Sequence, residues 1–322
     1  MEHSEKNEEE KNHNNEEHQE HETHHHKKKR SRRNKTIAIG VVGILLLIIG
    51  IGIAWLYTGS FSSAKEKVFS TIPLPAAIVD MKLVSGKMVI DRIDLAKQLS
   101  DAQGAGAEVP PADTFDQIIE TKKIDALASK YKLSVPQEEL ETEYKNIIKQ
   151  YANDDENAFK DELQKTYGMS PEQFKNEVIK QELLQSELLV WFNQQSSLNQ
   201  STYDKINGFK SKIDSGTSFD DVSKEYTSDE ATKDFAGDSG VIPFDQLLPE
   251  FRKALAESKT GDVRIVASRY GLHMLKVLDV NNNGENGAKQ IHLQQIYVKQ
   301  EGFPEWLATE TEKVRVVRLL KF

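Results

Sequence analysis

From Ile37 to Tyr57 the chain reads IAIGVVGILLLIIGIGIAWLY, 21 residues without a charge. At about 1.5 Å per residue a helix of that length spans a hydrocarbon core of roughly 30 Å. Trp55 and Tyr57 stand at its far end, where amphipathic rings favour the membrane interface. The pattern predicts a transmembrane helix over residues 36–58. The 35 residues before it hold almost no large apolar side chain and cannot bury enough surface to offset their chain entropy, so they read as a disordered tail.

Beyond the apolar run the period changes to that of amphipathic helices. Pro73, Pro75, Pro110 and Pro111 mark linker-like chain, and the elements between them are not resolved by pattern alone. From Thr114 the apolar positions recur at helical spacing: Phe115, Ile118 and Ile119, then Ile124, Leu127, Ala128 and Tyr131. Ser134-Val135-Pro136-Gln137 reads as a capping box ahead of Leu140, Tyr144, Ile147, Ile148 and Tyr151. A shorter helix carries Phe159, Leu163 and Tyr167, Gly168 ends it, and Ser170-Pro171-Glu172-Gln173 caps the next, which runs to about Phe192. The carboxylates and lysines here alternate as a solvated surface does. The apolar stripes predict a helical core over residues 59–199, in which one groove can stay open to an unfolded chain.

Residues 200–299 alternate between helix and strand patterns. Tyr203–Ile213 and Asp220–Tyr226 read as helices, and a further helix after Pro249 is expected to end near Gly261. Ile265–Ala267 and Leu272–Leu278 read as strands around the turn Tyr270-Gly271, and Lys289–Lys299 as another. Residues 300–322 offer a helix start at Phe303-Pro304 and a strand within Val314–Leu320. The predicted class is α+β: one transmembrane helix, a helical domain, and a small antiparallel sheet with helices.

Composition sharpens this order. The 322 residues carry 42 bases and 51 acids, a net charge of −9, with nine histidines and no cysteine. The absence of cysteine removes thiol nucleophiles, disulfide frameworks and cysteine metal sites. The acidic balance argues against a nucleic-acid partner. Residues 1–57 hold nine acids and nine bases, so the whole negative charge belongs to residues 58–322. Seven Lys and Arg lie between Lys27 and Lys35, whereas the nearest bases beyond the apolar run are Lys65 and Lys67. The positive-inside rule then keeps the tail cytoplasmic and sends residues 60–322 outside, as a single-pass cell-membrane protein. A cleaved signal peptide, with Ser62-Ser63-Ala64 as its cleavage site, would have a shorter apolar core and a shorter preceding region. Seven histidines fall within the first 26 residues; His21, His24, His25 and His26 can converge on a metal ion, but nothing fixes their geometry, and a solvated spacer explains them. No cofactor or metal is called for. Only His273 and His292 remain for the rest of the chain.

Three motifs then appear in order: Ala236-Gly237-Asp238-Ser239-Gly240, Leu247-Leu248-Pro249-Glu250-Phe251, and Tyr270-Gly271-Leu272-His273-Met274-Leu275-Lys276-Val277. They resemble the Gly-Gly-Asp-Leu-Gly, Met-Val-Pro-x-Phe and Phe-Gly-Tyr-His-Ile-Ile-Lys-Val motifs of the parvulin family of prolyl isomerases. The helical pattern over residues 114–192 resembles the chaperone domain that SurA-type and PrsA-type foldases set beside such a domain. The family opens with a strand of the type His-Ile-Leu-Val-Lys, yet the residues leading up to Lys205, NQQSSLNQSTYDK, do not read as a strand. Ile296-Tyr297-Val298-Lys299 fits that strand instead. The first and last strands of the family lie side by side and antiparallel, and the Asn- and Gly-rich residues 280–288 suit a hairpin between them. The order therefore reads as a circularly permuted parvulin domain.

In that register Gln295 takes the place of the family's first histidine, and His292, three residues earlier, points to the opposite face. The resemblance implies Asp229, His273 and Gln295 as catalytic residues, with Leu247, Phe251 and Ser268 forming the substrate site. Asp229 stands at the family's Cys-or-Asp position, and the loop from it to Ala236 looks one residue longer than usual. Leu247 replaces the usual Met. The barrier to prolyl rotation is roughly 20 kcal/mol and needs no nucleophile, only a pocket that holds the proline and polar groups that favour the twisted amide. The implied function is a membrane-anchored extracytoplasmic isomerase and chaperone acting on unfolded or proline-containing polypeptides. The alternative is a holdase that has lost catalysis, because Gln295 can hydrogen-bond but cannot titrate.

Overall fold

The computed structural model describes residues 46–102, 109–282 and 288–322. The tail, its histidines, the start of the apolar run and most of the Asn-rich loop lie outside them. Of the apolar run, residues 46–57 form helix α1, with its side chains largely exposed. Among the described residues no helix is long and apolar enough to cross a membrane. Two compact units result: residues up to Val68 with Leu319–Phe322, and Phe69–Arg318. Helix α2 (Ser63–Thr71) follows α1.

The larger unit is a mixed α+β structure with two small antiparallel sheets. Strands β1 (Pro75–Val79) and β2 (Lys82–Ser85) form a hairpin whose turn residues Asp80 and Met81 adopt positive φ. Helices follow: α3 (Gly86–Ala102), α4 (Pro111–Lys130), α5 (Gln137–Ala152), α6 (Glu156–Tyr167) and α7 (Pro171–Phe174), then a π-helical turn (Lys175–Ile179) that runs on into α8 (Lys180–Gln194). Ser170 and Gln173 close a reciprocal capping box, and Gly168 ends α6 in the left-handed region, as the pattern predicts. The expected box at Ser134 does not form. Pro136 itself is the cap, without a side-chain bond, and the helix begins only at Gln137, which leaves the Ser134 hydroxyl too far upstream.

Leu140, Tyr144, Ile148, Ile179 and Leu183 make one helical core, where the rings of Tyr144 and Phe174 both meet Phe159 edge-on. A second core joins Leu127, Leu188 and Phe192 to Phe303, on the last helix of the chain. That helix completes a cage in which Trp191 stacks on Tyr131 at 3.9 Å and meets Trp306 at 5.6 Å. A buried phenylalanine truncated to alanine leaves a cavity costing about 3–5 kcal/mol. Phe303→Ala should therefore lower the stability of the helical segment by about that amount, seen as an earlier urea transition of the tryptophan fluorescence.

The second half holds α9 (Gln200–Asp214), α10 (Phe219–Tyr226), β3 (Asp238–Pro243), α11 (Pro249–Leu255), β4 (Val263–Ser268), β5 (Gly271–Asn281) and β6 (Gln290–Lys299). Helix α11 stops at Leu255, short of Gly261: the Ser258 backbone N–H turns in to the Leu255 carbonyl, and Asp262 accepts the Lys259 N–H in the loop beyond. After β6 come α12 (Phe303–Glu312), the helix that carries Phe303 and Trp306, and β7 (Val316–Arg318), which pairs with β1.

The four-stranded sheet has the order β3-β6-β5-β4, all neighbours antiparallel. Its last strand in sequence is thus a central one. The two faces follow from the period of two. Leu275, Val277, Ile291 and Leu293 pack under Leu247, Phe251 and Leu255 of the α11 side, and Leu272, Met274, Ile296 and Val298 pack against Ile206, Phe219 and Val222 of α9 and α10.

Candidate active site

The site lies where β5 and β6 face the segments around α10 and α11. Pairing sets Leu275 opposite Gln295 and His273 opposite Tyr297, so His273 and Gln295 share one face. Loop residues lock the β6 end of this region. The Tyr297 backbone N–H donates to the Thr227 hydroxyl, the Ser228 N–H donates to the Tyr297 carbonyl, and the Ser223 hydroxyl donates to the Gln295 carbonyl. Gly237, at φ +79°, lies so close that a Cβ there would overlap the Gln295 carbonyl. Only glycine combines that left-handed backbone with that approach.

Four of the six residues expected from sequence form one hydrogen-bond chain. Gln295 Nε2 donates to Asp229 Oδ2 at 2.7 Å, Gln295 Oε1 lies 3.2 Å from His273 Nδ1, and Ser268 Oγ lies 2.8 Å from His273 Nε2. Its direction follows from donor chemistry. An ionised carboxylate only accepts, so the Gln295 amide nitrogen faces Asp229 and its oxygen faces the ring. That oxygen only accepts, so Nδ1 carries the proton. In a neutral imidazole Nε2 must then accept, so the Ser268 hydroxyl donates to it. The chain runs one way, from Ser268 through His273 and Gln295 to Asp229. Asp229 is steadied by the Thr232 hydroxyl at 2.6 Å and the Ala231 N–H, and Ser268 Oγ accepts the Tyr270 N–H at 3.0 Å.

Of the other two, Phe251 walls the site from α11, and Leu247, on the approach to that helix, packs in the same core as Phe251. Phe251 meets the His273 ring edge-on at 4.8 Å, yet Leu247 and Phe251 are both largely closed off, at 7% and 8% exposure. Both belong to the core beneath the sheet, and Phe251 to the site wall as well. His292 lies apart, Nε2 at 2.7 Å from Asp238 Oδ1 on the sheet's edge. Burial alone would raise the Asp238 carboxyl, but the Gly240 N–H and His292 hold it below its usual range.

Pattern reading missed two contributors. Tyr297 stacks on His273 at 4.8 Å, nearly parallel, and its hydroxyl donates to the Tyr270 carbonyl. The register that put Gln295 in place also put Tyr297 opposite His273, so this contact was derivable. Asn193, on α8, donates to the Ser268 carbonyl at 2.8 Å; no local signal ties it to a strand 75 residues away.

Desolvation holds His273 neutral, with its pKa lowered to about 4, against the smaller upward pulls of Gln295 and Asp229. The unfolded chain takes up that proton near pH 6.5 and the folded chain only near pH 4. Stability is therefore lost as pH falls through this window, by up to about 3 kcal/mol at the low end. The His273 ring proton resonance should stay at its neutral position to below pH 5; a midpoint near 6.5 would contradict the burial and the tautomer above.

Comparison with known proteins matches part of this chain. Residues 162–281 match the family described as the PPIC-type PPIASE domain. The matched segment ends before β6. The chain is 28% identical over 204 residues to the foldase protein PrsA 2 of Bacillus cereus, covering 59% of this chain and 66% of that one. It is 26% identical over 201 residues to PrsA 2 of Bacillus anthracis, covering 58% and 65%. The chaperone SurA of Nitrosospira multiformis is 27% identical over 108 residues, covering 32% and 24%. The chain thus spans slightly less than two thirds of the two PrsA relatives. A crystal structure of the peptidylprolyl isomerase PrsA from Bacillus anthracis aligns over 61% of this chain and 86% of its own, at 21% identity and a TM-score of 0.20, too low to bear on the fold. The ordered motifs and the matched segment agree: residues 162–281 are similar to a PPIC-type PPIASE domain, and the chain resembles the PrsA foldases over 58–59% of its length.

Proposed function

We propose that the chain is a membrane-anchored, extracytoplasmic foldase that isomerises prolyl bonds in secreted or surface polypeptides. The apolar run and its basic flank support the anchor and its orientation. The observation that carries the isomerase reading is the one-way chain Ser268–His273–Gln295–Asp229 set against the apolar Leu247 and Phe251. The order β3-β6-β5-β4, with the Ile296-Tyr297-Val298-Lys299 strand in the centre, supports the circularly permuted form of the domain.

The chemistry needs no proton transfer. A planar prolyl amide is more charge-separated than the twisted one, so a dry wall disfavours the planar state. The proline ring meets Phe251 and Leu247, while neutral His273 and the half-buried Asp229 fix the polar side of the cleft in one arrangement. A preorganised set of dipoles costs no reorientation when the amide twists. The rate should therefore be flat from about pH 5.5 to 8. In a protease-coupled prolyl assay on the whole chain, His273→Ala and Asp229→Ala should each lower kcat/KM at least tenfold. No acceleration by the unaltered chain would remove the enzyme reading.

A second reading, a holdase without catalysis, is favoured by one observation. Leu247, Phe251 and His273 are nearly closed, at 5–8% exposure, whereas the helical segment is open. Cavities of about 620, 540 and 500 Å³ surround the π-helical turn, and Asn176, Glu177 and Gln181 each line two of them. Met88, Leu95, Leu99 and Ile118 supply apolar wall, with the Arg92–Glu177 pair at 2.6 Å beside it. An apolar wall with a few fixed polar groups is the kind of lining that binds a ligand, and this reading assigns an unfolded polypeptide to it. Suppression of client aggregation without prolyl acceleration would select this reading.

A further inference from the structure

We propose that Asn193 is a positioning residue for the isomerase site, through which the helical segment holds Ser268 in donor geometry to His273. The inference rests on the isomerase reading of that site. Asn193 lies in the last turn of α8 and is 1% exposed. A buried amide in a helix is unfavourable on both counts, by propensity and by desolvation, unless its donors are used. Here Nδ2 donates to the Ser268 carbonyl at 2.8 Å, and the Asn193 backbone carbonyl accepts the Tyr203 hydroxyl at 3.1 Å. Asn193 is therefore held from α9 while it holds the end of β4.

What it holds matters for the site. Ser268 is the last residue of β4 and is fully buried, and its pairing with Gly271 closes the tight turn into β5. Its hydroxyl accepts the Tyr270 N–H and reaches His273 Nε2 at 2.8 Å. A serine hydroxyl turns to suit its partner, but it reaches His273 Nε2 only while the backbone holds the Ser268 Cβ in place. Fixing the Ser268 carbonyl on α8 fixes that backbone, and with it the hydrogen bond that keeps Nε2 an acceptor and Nδ1 the proton carrier. The chaperone-like helices thus reach His273 by two hydrogen bonds.

The test is a double-substitution cycle in the whole chain, read with a short prolyl peptide and by nitrogen NMR of His273. Asn193→Ala should lower kcat about tenfold with KM moved less than twofold. Ser268→Ala should do the same, and the pair together should be no worse than Ser268→Ala alone. Tyr203→Phe breaks the other contact of Asn193 and should lower kcat less than Asn193→Ala does, because Nδ2 still reaches the Ser268 carbonyl. Additive losses, or a change in KM alone, would overturn the proposal. If the unaltered chain proves inactive, the isomerase reading fails by itself and the NMR arm decides the positioning. Asn193→Ala should move the His273 Nε2 resonance toward its place in Ser268→Ala, and an unmoved resonance overturns it. Should Asn193→Ala not fold, Asn193→Ser, whose hydroxyl is too short to reach the carbonyl, takes its place in every arm.

Discussion

A chain ending at residue 282 will lose the sheet that carries the site, although it keeps every residue of the segment that matches the PPIC-type family. The matched residues stop at 281, and β6 begins at Gln290 as a central strand between β3 and β5. Without it β3 has no partner and β5 becomes an edge. Four side chains leave the two cores at once: Ile291, Leu293, Ile296 and Val298, each at most 4% exposed. At roughly 1.5–3 kcal/mol for each buried aliphatic side chain, the loss is on the order of 10 kcal/mol. Whole domains are stable by about 5–15 kcal/mol, so no reserve remains. The control is a chain ending at residue 299, which also lacks α12 and β7 but keeps β6. Amide exchange should be slow in β4 and β5 of the longer chain and fast in the shorter one. Slow exchange in both would mean that β6 is an accessory strand, and the permuted arrangement would fall with that result.

Gln295→Glu will be the most damaging substitution of similar size in the site. The change removes the amide that donates to Asp229 and puts a second carboxylate 2.7 Å from the first. Two carboxylates at that distance cannot both ionise without a large penalty, and breaking a half-buried charged contact costs about 2–4 kcal/mol. The oxygen that faces His273 Nδ1 stays an acceptor, so the damage falls on the contact with Asp229. We expect kcat/KM to fall at least a hundredfold at pH 7.5, with a matching loss of stability in urea. The pH dependence has a definite sign. The folded pair takes up one proton at a higher pH than an unfolded glutamate does, so the folded state gains relative stability as pH falls. Once protonated, the introduced carboxyl can donate to Asp229 again. Part of the loss should therefore return between pH 7.5 and 5.5. A variant as stable as the unaltered chain at pH 7.5 would show that Gln295 does not face Asp229.

Several parts of this site were legible in the residue order. Three motifs at their spacing named Leu247, Phe251 and His273, and one count along a strand separated Gln295 from His292. That count succeeds because the side-chain period of a strand is two: residues three apart must point to opposite faces, whatever the strand packs on. The helical stripes of Tyr144, Leu183, Leu188 and Phe192 were legible for the same reason, and so was the Ser170 cap, whose partners lie three residues apart.

Local pattern left open everything that depends on a distant partner. Whether Leu247 and Phe251 line an open cleft or close into the core is a matter of what covers them, and the covering elements come from elsewhere in the chain. The Ser134 box failed because a proline two residues on shifted the helix start. Asn193 carries no motif at all, and its contact with Ser268 arises because α8 runs past the end of β4. The order of elements and their apolar faces could be read along the chain, and the motif resemblance picked out Ser268, His273, Gln295 and Asp229, which the fold brings into hydrogen-bond contact. Which strand stands in the centre, which way the hydrogen bonds run and which helix holds the serine emerged only once distant segments had packed. Periodicity records a face that must be buried, whereas the choice of what buries it is made by the free energy of packing those segments together.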